Sequence, residues 1–446
     1  MKSALILALM LAQSTAFTAT TVAIIDSGVD YQNPQIPMWK NAVDLPDNNV
    51  DEDGNSYVDD TYGWNFAENN NQVIDYSYLG TFSPLPYRFL QIQKKVLQGK
   101  ATPQEVQWIQ TTAKNPLFLM EMQKFGNFVH GTHVSGIASK DAPVEILAIK
   151  LIPTEVKPFI LKAAVLAEDE SLADFRDILL KGLIDQLAKA QGQIMEKIGA
   201  YMQTHESGVA NGSFGTGATQ AKAIVAPLFQ VLYKRAPDEQ ELLMYSRYFM
   251  DSFLAQAAKM VDQNPNTLFV FAAGNERNDN DAMPTSPASL ERENVITVAA
   301  GYGNVKLASF SNYGKQSVHI VAPGVAISST IPGEPNIELS GTSQASPAVA
   351  NVAAQIRDIN PDLSPAEVKR MLMGTVDSRA ELAEKVKSSG VVNVQRAVFA
   401  ARASLQFSLK DAIAQSLKKV ENQPDSMPLV ERGDIYILPM PELFKL

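Results

Sequence analysis

The heptapeptide Gly341-Thr342-Ser343-Gln344-Ala345-Ser346-Pro347 constrains this chain more than any other stretch. A proline costs a helix nothing only in the first turn, where its missing N–H has no partner to lose, and the glycine ahead of it allows a tight turn. The sequence therefore sets a helix start at about Ser343. Ala348, Val349, Val352, Ala353 and Ile356 then recur at helical spacing and mark a buried helix. A serine hydroxyl is thereby placed among unpaired N–H groups at the positive end of a helix dipole. Taken alone, this is equally the signature of a plain serine cap, and partners elsewhere must decide between the two.

The first partner comes early. Thr21-Val22-Ala23-Ile24-Ile25 is a continuous apolar, mostly β-branched run of the kind a parallel strand buried on both faces requires, and it ends in Asp26-Ser27-Gly28-Val29-Asp30. Asp26 thus stands at a strand's carboxyl end, where sites assemble in open α/β sheets, although an Asx-turn would use the same residue. Val144–Leu151, Val209–Gly215, Leu268–Gly274, Val295–Ala300 and Val318–Ala322 read as further strands. Helical patterns lie between them: 69–125, with a capping box at Thr102-Pro103-Gln104-Glu105 and an end at Asn115-Pro116; Glu168–Gln203, as one helix or two broken near Gly192; and a stretch reaching Val261. Ser364-Pro365-Ala366-Glu367 caps another helix, periodicity fades after Ser404, and Asp434–Leu438 could add an edge strand.

Composition excludes several functions. A net charge of -10 and a pI near 5.1 argue against nucleic acid or an anionic membrane as partner. The absence of cysteine removes disulfides, thiol catalysis and Cys-ligated zinc. Lys2, the apolar run Ala4–Ala12 and the small residues Ser14, Thr15 and Ala16 form the pattern of a secretory signal peptide, assigned to 1–19, which implies export to the periplasm, the cell surface or beyond. No later segment has the pattern of a transmembrane span.

Two stretches invite a metal. Asp51, Asp53, Asn55 and Asp59 alternate as oxygen ligands do when a loop wraps calcium, with Asp60 as a substitute ligand. The match to an EF-hand is incomplete, because Gly54 comes too early and Tyr62 stands where a bidentate glutamate belongs, so a solvated acidic turn fits as well. His130 and His133 sit three apart at an apparent helix start, but the H-E-x-x-H pattern is absent, which leaves His133 as a core histidine and His130 free to reach another element. Asn275, at the end of its strand, offers two carboxamide donors where charge develops, and Val209–Gly215 opens into an edge that could pair with an extended peptide or be an ordinary loop.

Asp26, His130 and Ser343 together supply a carboxylate, a base and a nucleophile for acyl transfer, with Asn275 as an oxyanion donor. The order Asp, His, Ser is that of subtilisin. The chain resembles the subtilisin-like serine peptidases through Ala23–Val29, His130–Gly136, Ala272–Asn275 and Gly341–Pro347, with support from Pro287-Ala288-Ser289, Phe310–Gly314 and Val321–Gly324. The resemblance runs from about Val22 to Arg402. It implies an α/β fold, a mainly parallel sheet with helices on both faces, in a peptidase domain over 20–402. It also implies a triad of Asp26, His130 and Ser343, an oxyanion site at Asn275, and a cleft in which Ser213, Phe214, Gly215, Ala273 and Gly274 pair with substrate backbone. No cofactor is needed for such chemistry; calcium would be structural, and the partners are protein or peptide substrates.

Three departures individualise the chain. Asp26 to His130 spans 130 − 26 = 104 residues and His130 to Asn275 spans 275 − 130 = 145, which reads as helical insertions near 69–125, 153–206 and 218–263. Gln344 follows the nucleophile where the best-known members carry methionine. A signal ending near Ala16 leaves about ten residues before Asp26, so the insertions, an ion or the tail over 403–446 are expected to replace an N-terminal inhibitory prodomain. The rival expectation is a catalytically silent scaffold that keeps the fold and presents its insertions to a partner.

Overall fold

The computed structural model describes residues 19–156 and 175–426. The signal peptide expected over 1–19 thus lies, but for its last residue, outside the described residues, as does the edge strand expected at Asp434–Leu438. The main sheet contains β1 (Thr20–Asp26), β2 (Gly63–Asn65), β3 (Val144–Lys150), β4 (Val209–Gly212), β5 (Leu268–Ala272), β6 (Val295–Tyr302), β7 (Lys306–Leu307), β8 (Ile320–Pro323), β11 (Asp377–Ser378) and β12 (Gly390–Val391). A separate hairpin is formed by β9 (Ile327–Ile331) and β10 (Glu334–Leu339). The helices are α1 (Pro84–Leu97), α2 (Pro103–Thr112), α3 (Pro116–Ala138), α4 (Arg176–Thr204), α5 (Ala218–Tyr233), α6 (Glu239–Asp262), α7 (Thr342–Ile359), α8 (Pro365–Gly374), α9 (Val394–Ser404) and α10 (Leu409–Lys419).

Strand order is β11-β12-β8-β6-β5-β4-β1-β3-β2, with β7 added to β6, and only β7 and β11 run antiparallel to their neighbours. The expected mainly parallel sheet is therefore present, and both its faces are covered. Strand periodicity explains how: Val22 and Ile24 of β1 face a core shared with α3, α7, α8 and α9, while Ala23 and Ile25 face one shared with α4 and α6. All four side chains are completely buried, and each large aliphatic contributes about 1.5–3 kcal/mol. Because β1 pairs with β3 on one side and with β4 on the other, the carboxyl end of β1, at Asp26, is the topological switch point of the sheet, where sites assemble in open α/β folds.

The helical stretches hold smaller cores of their own. The outer part of α4 packs with α5 and α6 around Phe229, Phe249 and Phe253, and α1 and the start of α3 pack against the hairpin around Phe89, Phe118 and Phe125. The capping boxes at Thr102 and Ser364 form as read.

Two local expectations need correction, and one open alternative is decided. The histidine motif does not start a helix: α3 is capped by Asn115 and runs unbroken through His130 to Ala138. Of the two readings offered for the stretch through Gly192, the single helix is the one present, and a Cβ on that glycine would lie 2.2 Å from Gln256 Oε1 of α6. Periodicity does not end at Ser404 either, since among the described residues α10 follows it. Helix α10 packs on α8 and α9, and the strand-like segment beyond it is held by Arg396, which donates to the Val420 carbonyl at 3.0 Å and to Asn422 Oδ1 at 2.8 Å.

Arg396 and Asp377 form a buried ion pair at 3.1 Å, with side chains 4% and 0% exposed, and Asp377 also accepts the Gln423 N–H. Removing one partner of such a pair leaves an uncompensated buried charge, which costs about 3–5 kcal/mol. Asp377→Ala is expected to lose that much stability in urea unfolding of the Ser343→Ala background; a loss below about 1 kcal/mol would show that the pair does not anchor the C-terminal segment.

Candidate active site

Asp26, the last residue of β1, is buried, and its Oδ1 accepts the Ser27 N–H at 2.7 Å and lies 2.7 Å from His130 Nδ1. An ionised carboxylate accepts only, so His130 carries its proton on Nδ1 and presents Nε2 as a base. The approach of helix to strand depends on glycine. A Cβ on Gly131 would sit 2.2 Å from the Gly28 carbonyl oxygen, and the Gly131 N–H instead donates to Ser27 Oγ at 3.2 Å. At the next residue, Thr132 Oγ1 accepts the Asp30 N–H at 2.9 Å. These contacts seat the middle of α3 on the loop that leaves β1.

Ser343 is the second residue of α7 and is buried. At this position its N–H has no intrahelical acceptor. Its hydroxyl donates to the Ser213 carbonyl at 3.2 Å and makes no hydrogen bond with His130 in this structure. Pro347 departs from expectation, since it is not in the first turn but lies inside α7, where it removes the N–H that would serve the Ser343 carbonyl.

Asn275 is fixed by α7. Its Oδ1 accepts both the backbone N–H and the hydroxyl of Thr342 at 2.9 Å, which determines how the amide is turned and leaves its NH2 without a partner among the described residues. Thr342 Oγ1 in turn accepts the Gly274 N–H at 3.2 Å.

The remaining cleft candidates divide. Ser213 lies beyond the end of β4 beside Ser343, but Phe214 is completely buried, its side chain in the core with Phe271. Gly274 has both backbone groups engaged, its carbonyl accepting the Asn312 N–H at 2.8 Å. Ala273 has its carbonyl held by Asn280 and Asn312. Gly215 leaves its backbone groups unpaired among the described residues. Sequence reasoning missed Thr342, Asn312 and Asn211 as supports. An asparagine interrupting the apolar run of β4 was the available signal, because a buried amide requires partners.

The acidic loop gathers differently from its alternation. Asp51 and Asp53 come together with Asp44, each offering one carboxylate oxygen within 4.8 Å of the others. Asp59 is elsewhere, accepting the Asn48 and Asn49 N–H groups at 3.1 Å. Asn55 turns its oxygen to the Tyr57 N–H, so its NH2 donates to Asp53 and Asp60. Asp60 is completely buried and also accepts from Tyr201 at 2.8 Å.

Comparisons place this geometry among known proteins. A family model described as "Subtilase family" matches residues 18–397. "Subtilisin-like protease 2" of Plasmodium falciparum (isolate 3D7) is 36% identical over 136 residues, which is 30% of this chain and 10% of that protein. "Subtilisin BL" of Lederbergia lenta is 37% identical over 130 residues, 29% of this chain and 45% of that one. The matched segments thus span less than half the length of these relatives. A solved cold adapted subtilisin-like serine proteinase aligns over 84% of this chain and 86% of its own, at 17% identity and a TM-score of 0.43. The chain of a subtilase cytotoxin assembly aligns over 90% and 91%, at 17% identity and a TM-score of 0.45.

Two other histidines are core groups. His133, beside the site, bonds the Ile337 carbonyl through Nε2 at 3.2 Å, and burial pushes its pKa from 6.5 down to about 3. His319 accepts the Thr297 N–H at 3.0 Å, and burial lowers it likewise. Both stay neutral when folded, whereas the unfolded chain protonates them below about pH 6.5, so the unfolded state binds more protons and stability falls as pH drops below that value. Each histidine is expected to add up to about 1.4 kcal/mol per pH unit to this slope. Urea unfolding of Ser343→Ala between pH 7 and 5 checks it: His319→Gln should flatten the slope, and an unchanged slope would contradict the assignment.

Proposed function

Because the chain belongs to the subtilase family, we propose that it is an exported serine endopeptidase that hydrolyses peptide bonds through an acyl-enzyme. The observation that carries this reading is the buried 2.7 Å bond between Asp26 and His130, which prepares an imidazole base at the switch point of the sheet. A substrate segment enters extended along the edge opened by Gly215, adding main-chain hydrogen bonds where that backbone is free. Ser343 then turns its hydroxyl from the Ser213 carbonyl to His130 Nε2, a contact of the kind that often tightens only when substrate is bound. As the oxygen attacks the scissile carbonyl, His130 takes its proton and Asp26 stabilises the imidazolium. The Asn275 NH2 and the Ser343 N–H receive the oxyanion, both pre-oriented by the start of α7. His130 next protonates the departing amine, and water, deprotonated by the same base, releases the acyl group.

Ser343→Ala is expected to abolish turnover of a peptide library while keeping the parent's thermal midpoint; retained turnover would overturn the reading. Asn275→Ala should lower kcat by roughly 10²–10³, a magnitude borrowed from removal of an oxyanion donor in subtilisin itself.

Calcium is proposed to sit at Asp44, Asp51 and Asp53, whose hard oxygen donors and mutual approach suit it, and to brace the loop without entering the chemistry. The melting temperature of Ser343→Ala should fall when calcium is chelated; identical melts with and without chelator would contradict the site.

A further inference from the structure

The start of α7 has no side-chain cap. Its first turn is held from outside, and Pro347 shows why it must be. In an α-helix the Ser343 carbonyl accepts the N–H of the residue four positions on, which here is a proline without one. That carbonyl accepts the Ser213 hydroxyl instead, at 3.0 Å. The Ser213 proton is committed there, so the bond between Ser213 Oγ and Asn211 at 2.9 Å has to be donated by the Asn211 amide. The amide orientation this sets turns its oxygen to Ser346, whose hydroxyl donates to it at 2.7 Å.

Asn211 is completely buried on the face of β4 that meets α7, and it therefore links two residues of α7's opening turns to the strand that leads into the cleft edge. A neutral amide in a wholly apolar setting costs free energy unless its bonds are made, and this one is bonded at both ends. A row of hydrogen bonds running in one direction, from Ser346 through Asn211 and Ser213 to the Ser343 carbonyl, is polarised along its length. It closes on the peptide group of the proposed nucleophile.

We propose that Asn211 is a positioning residue: acting through Ser213, it fills the hydrogen bond that Pro347 leaves open and so sets the orientation of Ser343 relative to the cleft strand. This rests on the peptidase reading above. Its distinctive consequence is that the need for Asn211 is created by Pro347. Replacing Pro347 with alanine returns an N–H to the Ser343 carbonyl and makes the relay dispensable.

The test compares Asn211→Ala and Ser213→Ala, each alone and combined with Pro347→Ala, measuring kcat, KM and thermal midpoint of the full chain on one peptide substrate. Each single change is expected to lower kcat about tenfold with KM within about twofold, because a small misplacement of the attacking atom slows the chemistry more than it weakens binding. With Pro347→Ala present, the same changes should cost less than about twofold in kcat. Equal losses in the two backgrounds would overturn the proposal, and so would a lowered midpoint with kcat unchanged. Ser213→Ala answers the question even where Asn211→Ala does not fold. Absence of turnover in the parent chain would overturn the peptidase reading instead.

Discussion

The site depends on the contact between Gly28 and Gly131, two glycines 103 residues apart (131 − 28) that meet with no Cβ between them. Any side chain on Gly131 would drive α3 off the loop after β1. Gly28 is confined as well: it holds a φ of 120°, and a Cβ there would lie 2.4 Å from the Val73 carbonyl oxygen. The short distance between Asp26 and His130 follows from this close seating. A strand end and the middle of a long helix are thereby fused into one rigid unit, and the buried Thr132 hydroxyl, which accepts the Asp30 N–H, closes it from the other side.

The other half of the site is attached to that unit through the sheet. Strands β4 and β5 flank each other beside β1, and the residues just beyond their ends, Ser213 and Gly274-Asn275, bond directly to the first two residues of α7. Helix α7 needs these external bonds because glycine precedes it and proline interrupts it. Its first turn is therefore not capped internally: Thr342 bonds outward to Gly274 and Asn275, and the Ser343 N–H is left for the oxyanion in the proposed reaction. A preorganised set of donors of this kind is what stabilises developing charge most effectively, since no reorganisation is required during reaction.

Much of this was legible in the chain itself. The apolar run before Asp26 specified a strand buried on both faces, and its alternation into two cores follows from strand geometry alone. The capping boxes at Thr102 and Ser364 were readable because their chemistry is local. What escaped sequence reasoning depends on distant partners. The extent of α3 was hidden because Gly126, Gly131 and the histidines look like a helix boundary until Gly131 is seen against Gly28. Pro347 reads as a first-turn residue because the donor that compensates for it, Ser213, lies 134 positions earlier (347 − 213). The acidic loop offered an alternation, but Asp44 replaces Asp59 in the cluster because folding back of the loop, not spacing, decides which carboxylates meet.

In the proposed reaction Ser343 is a nucleophile activated by its setting, not a buried cap. Reaction of the folded chain with a fluorophosphonate, followed by mass measurement and peptide mapping, tests this most directly. A single covalent adduct on Ser343 is expected, forming far more slowly in His130→Ala. An adduct spread over other serines, or no adduct on folded chain, would contradict it.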